Sequence, residues 1–393
     1  MRMNDRLLIT LILMMSMFAP LSTDMFLPSL DEMVEYFGTT ESTFSMALYL
    51  FMFFLALGIL FLGPTSDKYG RRKVCIASLS LYIAASFACS FAPTIEVLIA
   101  MRILQAIGAG GAMAVSVALI RDCFTGERRS KVLKIVAIIG ILGPVLAPII
   151  GQALIWAVDW HATFWAPAIV ALAALGLTVM LPANIPEQRY EGSIAGAVAT
   201  IGPILRNGEF RRFTVMMTMV TFCVLAYVSV SEYIYKDKGF GVGDMYSIYL
   251  ASAMILGVLA MMCLEKLKLS RKDHLKLFFA LMAVATVLMW TVADRGPLIF
   301  MVAVIPMIAT SSLARSFGFD VLLSQDVGNS GAISSVLNFS TFMFATAGMI
   351  VVVNLPFDNY ITSVAACFTI YLAVYTVLWV RMVVKGTTLK GLE

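Results

Sequence analysis

The chain has 393 residues, 60% of them hydrophobic and only 13% charged. Soluble domains are about 45–50% apolar and about a quarter charged, so a soluble fold is excluded, together with a disordered or collagen-like chain. The formal net charge of +4 carries less information than the placement of the charges along the chain.

A membrane-spanning helix takes about 20 apolar residues, and twelve runs of that order can be traced. The first, Leu7–Leu27, is too long for the h-region of a signal peptide and lacks a small-residue cleavage site, so it is read as a helix. It is followed by Phe44–Leu62, Val74–Phe91, Ile95–Ile120, Val132–Trp156 and Phe164–Leu181. A connection bearing Pro186 and Pro203 comes next, and its apolar middle, Ile194–Leu205, predicts a short helix along the membrane surface. The remaining runs are Phe213–Tyr235, Tyr246–Leu264, Leu277–Val292, Leu298–Leu323, Ala332–Val353 and Ile361–Val384. The expectation is an all-α membrane protein of twelve transmembrane helices in two six-helix bundles, 1–182 and 213–393, with a linker at 183–212. A duplicated transporter has this plan, although no repeat is demonstrable in the sequence itself.

Lysine and arginine set the orientation. With the N-terminus inside, the inner loops collect nearly all of them, and the outer loops receive only Lys236, Lys238 and Arg295. Both termini are therefore expected in the cytoplasm. Arg102 and Arg315 fall inside apolar runs. The six cysteines are scattered and no His/Cys cluster exists, so neither a disulfide framework nor a metal site is expected. No nucleophile–base pair or phosphate loop is readable either, which argues against an enzyme.

Four stretches stand out from the apolar background. Gly63-Pro64-Thr65-Ser66-Asp67-Lys68-Tyr69-Gly70-Arg71-Arg72-Lys73 lies between the second and third runs. There Gly63 is expected to admit a neighbouring helix and Gly70 to supply a positive φ. In the fourth run, Arg102 precedes Gly108, Gly110 and Gly111, and the run closes on Arg121-Asp122. A buried arginine is costly unless paired or wetted, and the glycines let backbones approach. The fifth run carries Gly140, Gly143, Pro144, Pro148 and Gly151. Its prolines remove backbone donors, and its glycines are expected to pack across the interface between the halves. The fourth stretch, Ser22-Thr23-Asp24-Met25-Phe26-Leu27-Pro28, places a carboxyl in the outer part of the first run.

The string from Gly63 to Lys73 resembles the loop signature of the major facilitator superfamily. The Arg102 stretch is similar to that family's helix-4 motif, whose arginine is tied to proton transfer. The Gly-Pro stretch is similar to the helix-5 motif of its proton-driven antiporters. With Asp24 and the Asp159-Trp160-His161 to Phe164-Trp165 segment, the whole chain resembles the Bcr/CflA branch of drug/proton antiporters. The resemblance implies a bacterial cytoplasmic-membrane exporter, monomeric and without cofactor or metal. Its partners would be amphipathic drugs, protons and the lipid bilayer, with no nucleic acid. Export of a metabolite such as a sugar or nucleoside is the alternative, and an import symporter a weaker one.

Asp24 lies roughly 6 Å below the outer end of its run and Arg102 roughly 10 Å below, at 1.5 Å per residue. An ion pair is therefore expected if the two helices are neighbours. Burial favours the neutral acid and a guanidinium favours the carboxylate, so this pair is the leading proton-coupling site. Glu232 is the second candidate, either at a cavity wall or hydrated from outside and paired with Lys236. A substrate pocket is expected between the halves. Asp24, Tyr49, Met52, Phe53, Tyr227, Glu232, Phe317 and Asn338 are its candidate lining. Gly63, Asp67, Gly70, Arg71, Arg121 and Asp122 form the candidate conformational latch. Arg315 and Asp320 are not expected to pair with each other, and either could contact another helix; Arg315 is read as a structural or gating residue rather than a substrate one.

Overall fold

The computed structural model describes residues 4–182, 201–235, 240–242, 245–267, 269–325 and 330–386, with positions 185, 192, 193, 196, 199 and 389. Among the described residues it is all-helical, and eleven helical segments are long and apolar enough to cross a membrane. The fifth expected run coincides with a further helix, Gly126–Ala157. The chain divides into two compact units, Met1–Val198 and Ala199–Glu393. Most of the expected linker lies outside the described residues, and its surface helix is seen only as Ile201–Arg206.

In the first unit the opening span is not one helix. It comprises α1 (Asp5–Ser16), α2 (Phe18–Thr23), a 3-10 turn (Leu27–Ser29) and α3 (Leu30–Tyr36). Proline explains both breaks. A helical residue donates its N–H to the carbonyl four positions earlier, and proline has no N–H to donate. Pro20 thus cannot donate to the Ser16 carbonyl, and Pro28 cannot donate to that of Asp24, the cap at which α2 ends. The sequence reading of a single run missed this, because counting apolar residues does not register a missing donor.

Helix α4 (Glu41–Tyr69) starts at Thr40, whose hydroxyl accepts the Thr43 N–H at 3.2 Å. It runs well past the apolar stretch, and only Gly70 separates it from α5 (Arg71–Ser90). Gly70 has φ +98°, as the motif predicted. The polar residues 63–69, expected as a loop, are the end of α4, since a helix does not stop where hydrophobicity does. Helix α6 (Ile95–Cys123) packs between α4 and α5. Its glycines make this possible: a Cβ at Gly110 would lie 2.6 Å from the Leu55 carbonyl oxygen, and one at Gly108 would lie 2.7 Å from that of Ser78. Helices α7 (Gly126–Ala157) and α8 (Ala162–Val179) complete the unit.

The second unit contains α9 (Ile201–Arg206), α10 (Gly208–Thr218), α11 (Val220–Tyr235), α12 (Tyr246–Glu265), α13 (Arg271–Thr291), α14 (Pro297–Leu323), α15 (Ser330–Asn354) and α16 (Tyr360–Lys385). Its first span is again divided, at Met219 between α10 and α11. The same contact recurs in both units. A Cβ at Gly151 of α7 would run into the Met25 carbonyl, and one at Gly348 of α15 would run into the Phe222 carbonyl. Met25 and Phe222 are separated by the same number of positions as Gly151 and Gly348. The repeat that the sequence did not reveal is therefore visible in what its glycines admit.

Candidate functional site

The break at Asp24 turns the first span's backbone towards Arg102 on α6. Arg102 is 1% exposed. Its Nη1 donates to the Ser22 carbonyl at 2.6 Å and to Gln105 Oε1 at 2.9 Å, while Nε reaches the Ala47 carbonyl at 3.5 Å. Gln105 in turn donates to Ser86 Oγ at 2.8 Å, and Ser22 Oγ bonds the Tyr82 hydroxyl at 2.7 Å. Three aromatic rings enclose the cation: Phe51 at 4.3 Å, Phe26 at 4.7 Å and Phe164 at 5.9 Å from ring centroid to guanidinium carbon. Cation–π attraction strengthens where water is excluded, so the rings offset part of the cost of burial. Among the described residues, Nη2 has no hydrogen-bond partner.

The expected ion pair is not formed. Asp24 is 6% exposed and bonds the neighbouring Thr23 side chain, and among the described residues it joins no ion pair. Thr23 Oγ1 also donates to the Ala19 carbonyl at 2.9 Å. Arg102 nevertheless holds the same span, through the carbonyl two residues before Asp24. The sequence reading missed the cage around Arg102. One component was open to it: Gln105 stands three positions along the same helix and so shares its face.

At the end of α4 the four expected latch charges form a closed ring. Arg71 pairs with Asp67 and, at 2.8 Å, with Asp122; Arg121 reaches Asp67 and Asp122 at 3.1 Å each. Arg71 is buried and also donates from Nη1 to Ser66 Oγ at 2.5 Å and from its backbone to Ile185 at 3.0 Å. Gly63 plays a different part from the one expected. A Cβ there would meet only Ala114 Cβ, at 3.8 Å, which is ordinary contact. Its carbonyl instead accepts from Ser66 Oγ at 2.7 Å.

The α7 glycines pack differently from the expectation as well. A Cβ at Gly143 would lie 2.6 Å from Pro20 Cγ, and Gly151 meets the Met25 carbonyl. Both therefore rest on the broken first span of their own unit, on either side of Asp24. The proline ring and the Met25 carbonyl come so close that a side chain at either glycine would collide with them. Leu21, Met25 and Ala147 form the buried contact between them. Pro148 is in the same helix; for Gly140 and Pro144 only the helical backbone is described.

In the second unit Glu232 on α11 is 0% exposed, which rules out a residue hydrated from outside. Lys236 lies outside the described residues. Tyr227 is fully buried with Phe300 at 5.7 Å. Phe317 is occupied by packing on Phe213 and Phe278 and stacks on His274 at 5.0 Å. Asn338 is half-buried on α15, and in the first unit Tyr49 and Phe53 are half-buried on α4 beside buried Met52. Asp320 pairs with Arg271 at 3.2 Å rather than with Arg315. Among the described residues no group of three or more His, Cys, Asp or Glu side chains is placed to hold a metal ion.

The chain matches the Major Facilitator Superfamily over residues 12–352. The MFS-type transporter YdgK of Bacillus subtilis, itself uncharacterized, is 31% identical over 239 residues. The multidrug resistance protein MdtL of Escherichia coli is 30% identical over 236 residues. Each match takes in 60% of this chain, and the chain spans 60% of the length of these curated relatives. The fold is similar to that of the nucleoside transporter NupG (TM-score 0.73, 13% identity, 97% of this chain and 100% of that one). It is also similar to a D-xylose–proton symporter (TM-score 0.74, 14% identity, 99% of each chain). At those identities the likeness is one of fold. The chain belongs to the Major Facilitator Superfamily and is a multi-pass membrane protein.

Proposed function

We propose that this Major Facilitator Superfamily member exports amphipathic small molecules from a bacterial cytoplasm in exchange for protons, as a Bcr/CflA-type antiporter. In this reading it crosses the inner membrane twelve times with both termini in the cytoplasm. The observation that carries the reading is a buried carboxyl at the break of the first span that joins no ion pair among the described residues, with a buried guanidinium holding the same span through the Ser22 carbonyl. A charge withdrawn from water without a partner is expensive, so such an arrangement favours a group that changes its charge during the cycle.

Asp24 carries the proton. As the neutral acid it can donate to Thr23 Oγ1, whose own single proton already serves Ala19. Once the proton leaves, Asp24 needs a cation, and Nη2 of Arg102 is the spare donor. A swing between those partners would move the break in the first span, and α7 would feel it through Gly143 and Gly151. The ring of Asp67, Arg71, Arg121 and Asp122 is the inner-side latch of that cycle. The name of the MdtL relative supports drugs as cargo. A sugar or nucleoside exporter using the same cycle would show a narrow cargo profile instead.

The test uses everted vesicles with an acidic interior, offered norfloxacin, chloramphenicol and ethidium. Uptake driven by the gradient is expected for at least one of them and is lost in Asp24→Asn. Failure of all three, or full uptake by Asp24→Asn, would overturn the proposal.

A further inference from the structure

We propose that Arg315 is the recognition point for a carboxylate group, a subsite in the second unit that holds the acidic end of a transported molecule. The proposal deepens the export reading and rests on it for the identification of the ligand as cargo.

Arg315 sits on α14, about eight residues or about 12 Å from that helix's end at Leu323. It is exposed and lines a recess of about 50 Å³ together with Ser311, Thr218, Thr221 and Thr341. Among the described residues it forms no ion pair. The acid nearest to it on α14, Asp320, is taken by Arg271. Nor, among the described residues, does it have the carbonyls and rings that enclose Arg102. A guanidinium in a membrane span without these is a functional group by default.

The other polar groups leave its charge intact. Thr218 Oγ1 donates to the Thr214 carbonyl at 2.8 Å, Thr221 to that of Thr218 at 2.7 Å, and Thr341 to that of Leu337 at 2.8 Å. A hydroxyl whose proton is committed can only accept. These oxygens can therefore take spare guanidinium N–H donors and fix the fork, but they cannot neutralise it. The remaining positive charge suits a planar anion bound by two parallel hydrogen bonds, which is the match between arginine and carboxylate. A recess of this volume admits a carboxylate and little more, so it is a subsite rather than the seat of a whole drug.

The repeat supports the placement. Thr221 stands in the second unit where Asp24 stands in the first, one position before the carbonyl that meets the α15 or α7 glycine. The first unit thus has an acid at the bend of its opening span, and the second has a cation lining the recess at its own.

The test follows thermal unfolding of the full chain in detergent with benzoate or with benzamide, a neutral molecule of the same shape. Benzoate is expected to raise the Tm and benzamide to leave it unchanged. Arg315→Gln should weaken benzoate binding at least tenfold, with partial retention in Arg315→Lys. Equal shifts from the two probes in the unaltered chain would overturn the proposal, as would an undiminished benzoate shift in Arg315→Gln. Should Arg315→Gln not fold, Ser311→Ala, which alters the recess beside Arg315, replaces it and must weaken the benzoate shift. The measurement needs no gradient and no transport. Benzoate binding without drug uptake breaks the export reading alone, and uptake without benzoate selectivity breaks this proposal alone.

Discussion

The two units share a scaffold and differ in how each treats its arginine. Both have a broken first span, and both seat a glycine of the fifth span on a carbonyl of that first span, Met25 in one and Phe222 in the other. In the first unit Arg102 is enclosed by carbonyls, an amide and three rings. In the second, Arg315 faces a recess and forms no ion pair among the described residues. The charge is the same, but its environments suit different work. An enclosed cation organises the helices around it and waits for one internal partner, whereas an open one is available to something that arrives.

The shared scaffold is where the largest effect is expected. Gly151→Val and Gly348→Val each drive a branched side chain into backbone that cannot retreat as a flexible side chain would. Overpacking costs about 1–3 kcal/mol and occasionally more, and a clash against backbone places these two variants at or above the top of that range. Both variants should accumulate poorly in the membrane and unfold early in detergent. If only one does, the two contacts are not equivalent. Next comes the comparison of the arginines. Arg102→Met strands the Ser22 carbonyl and Gln105 in the core and should cost about 2–3 kcal/mol, seen as a lowered Tm. Arg315→Met should stay within about 0.5 kcal/mol of the parent, as substitutions away from packed networks do. Equal losses would erase the distinction. At the bottom of the scale, the exposed pair Arg128–Asp5, 2.8 Å apart, should contribute under about 1 kcal/mol. Asp5→Asn therefore serves as the control for changing a charge on the first span.

Much of this was legible in the sequence, and the misses have a common cause. Apolar runs located the helices, Gly70 its turn, and the charged motif residues the members of the ring of Asp67, Arg71, Arg121 and Asp122. The break at Asp24 was legible in principle, from Pro28 four positions on. The partners of α7 were not, because a glycine motif records that something comes close without saying what. Phe51 and Phe164 lie far from Arg102 along the chain, and nothing local marks them as its cage. Gly63 shows the opposite error: a motif glycine credited with a steric role that its surroundings do not require.

The central claim is that Asp24 exchanges a proton against cargo. Proteoliposomes loaded with a pH-sensitive dye, with equal pH on both sides, test it most directly. They are given whichever of the three drugs the everted vesicles accumulate. Drug moving inward down its gradient should expel protons and make the lumen more alkaline, whichever way the protein is inserted. Asp24→Asn, with an unchanged Tm, should give no pH change. A lumen that acidifies as the drug enters, or an Asp24→Asn trace that matches the parent, would contradict the account.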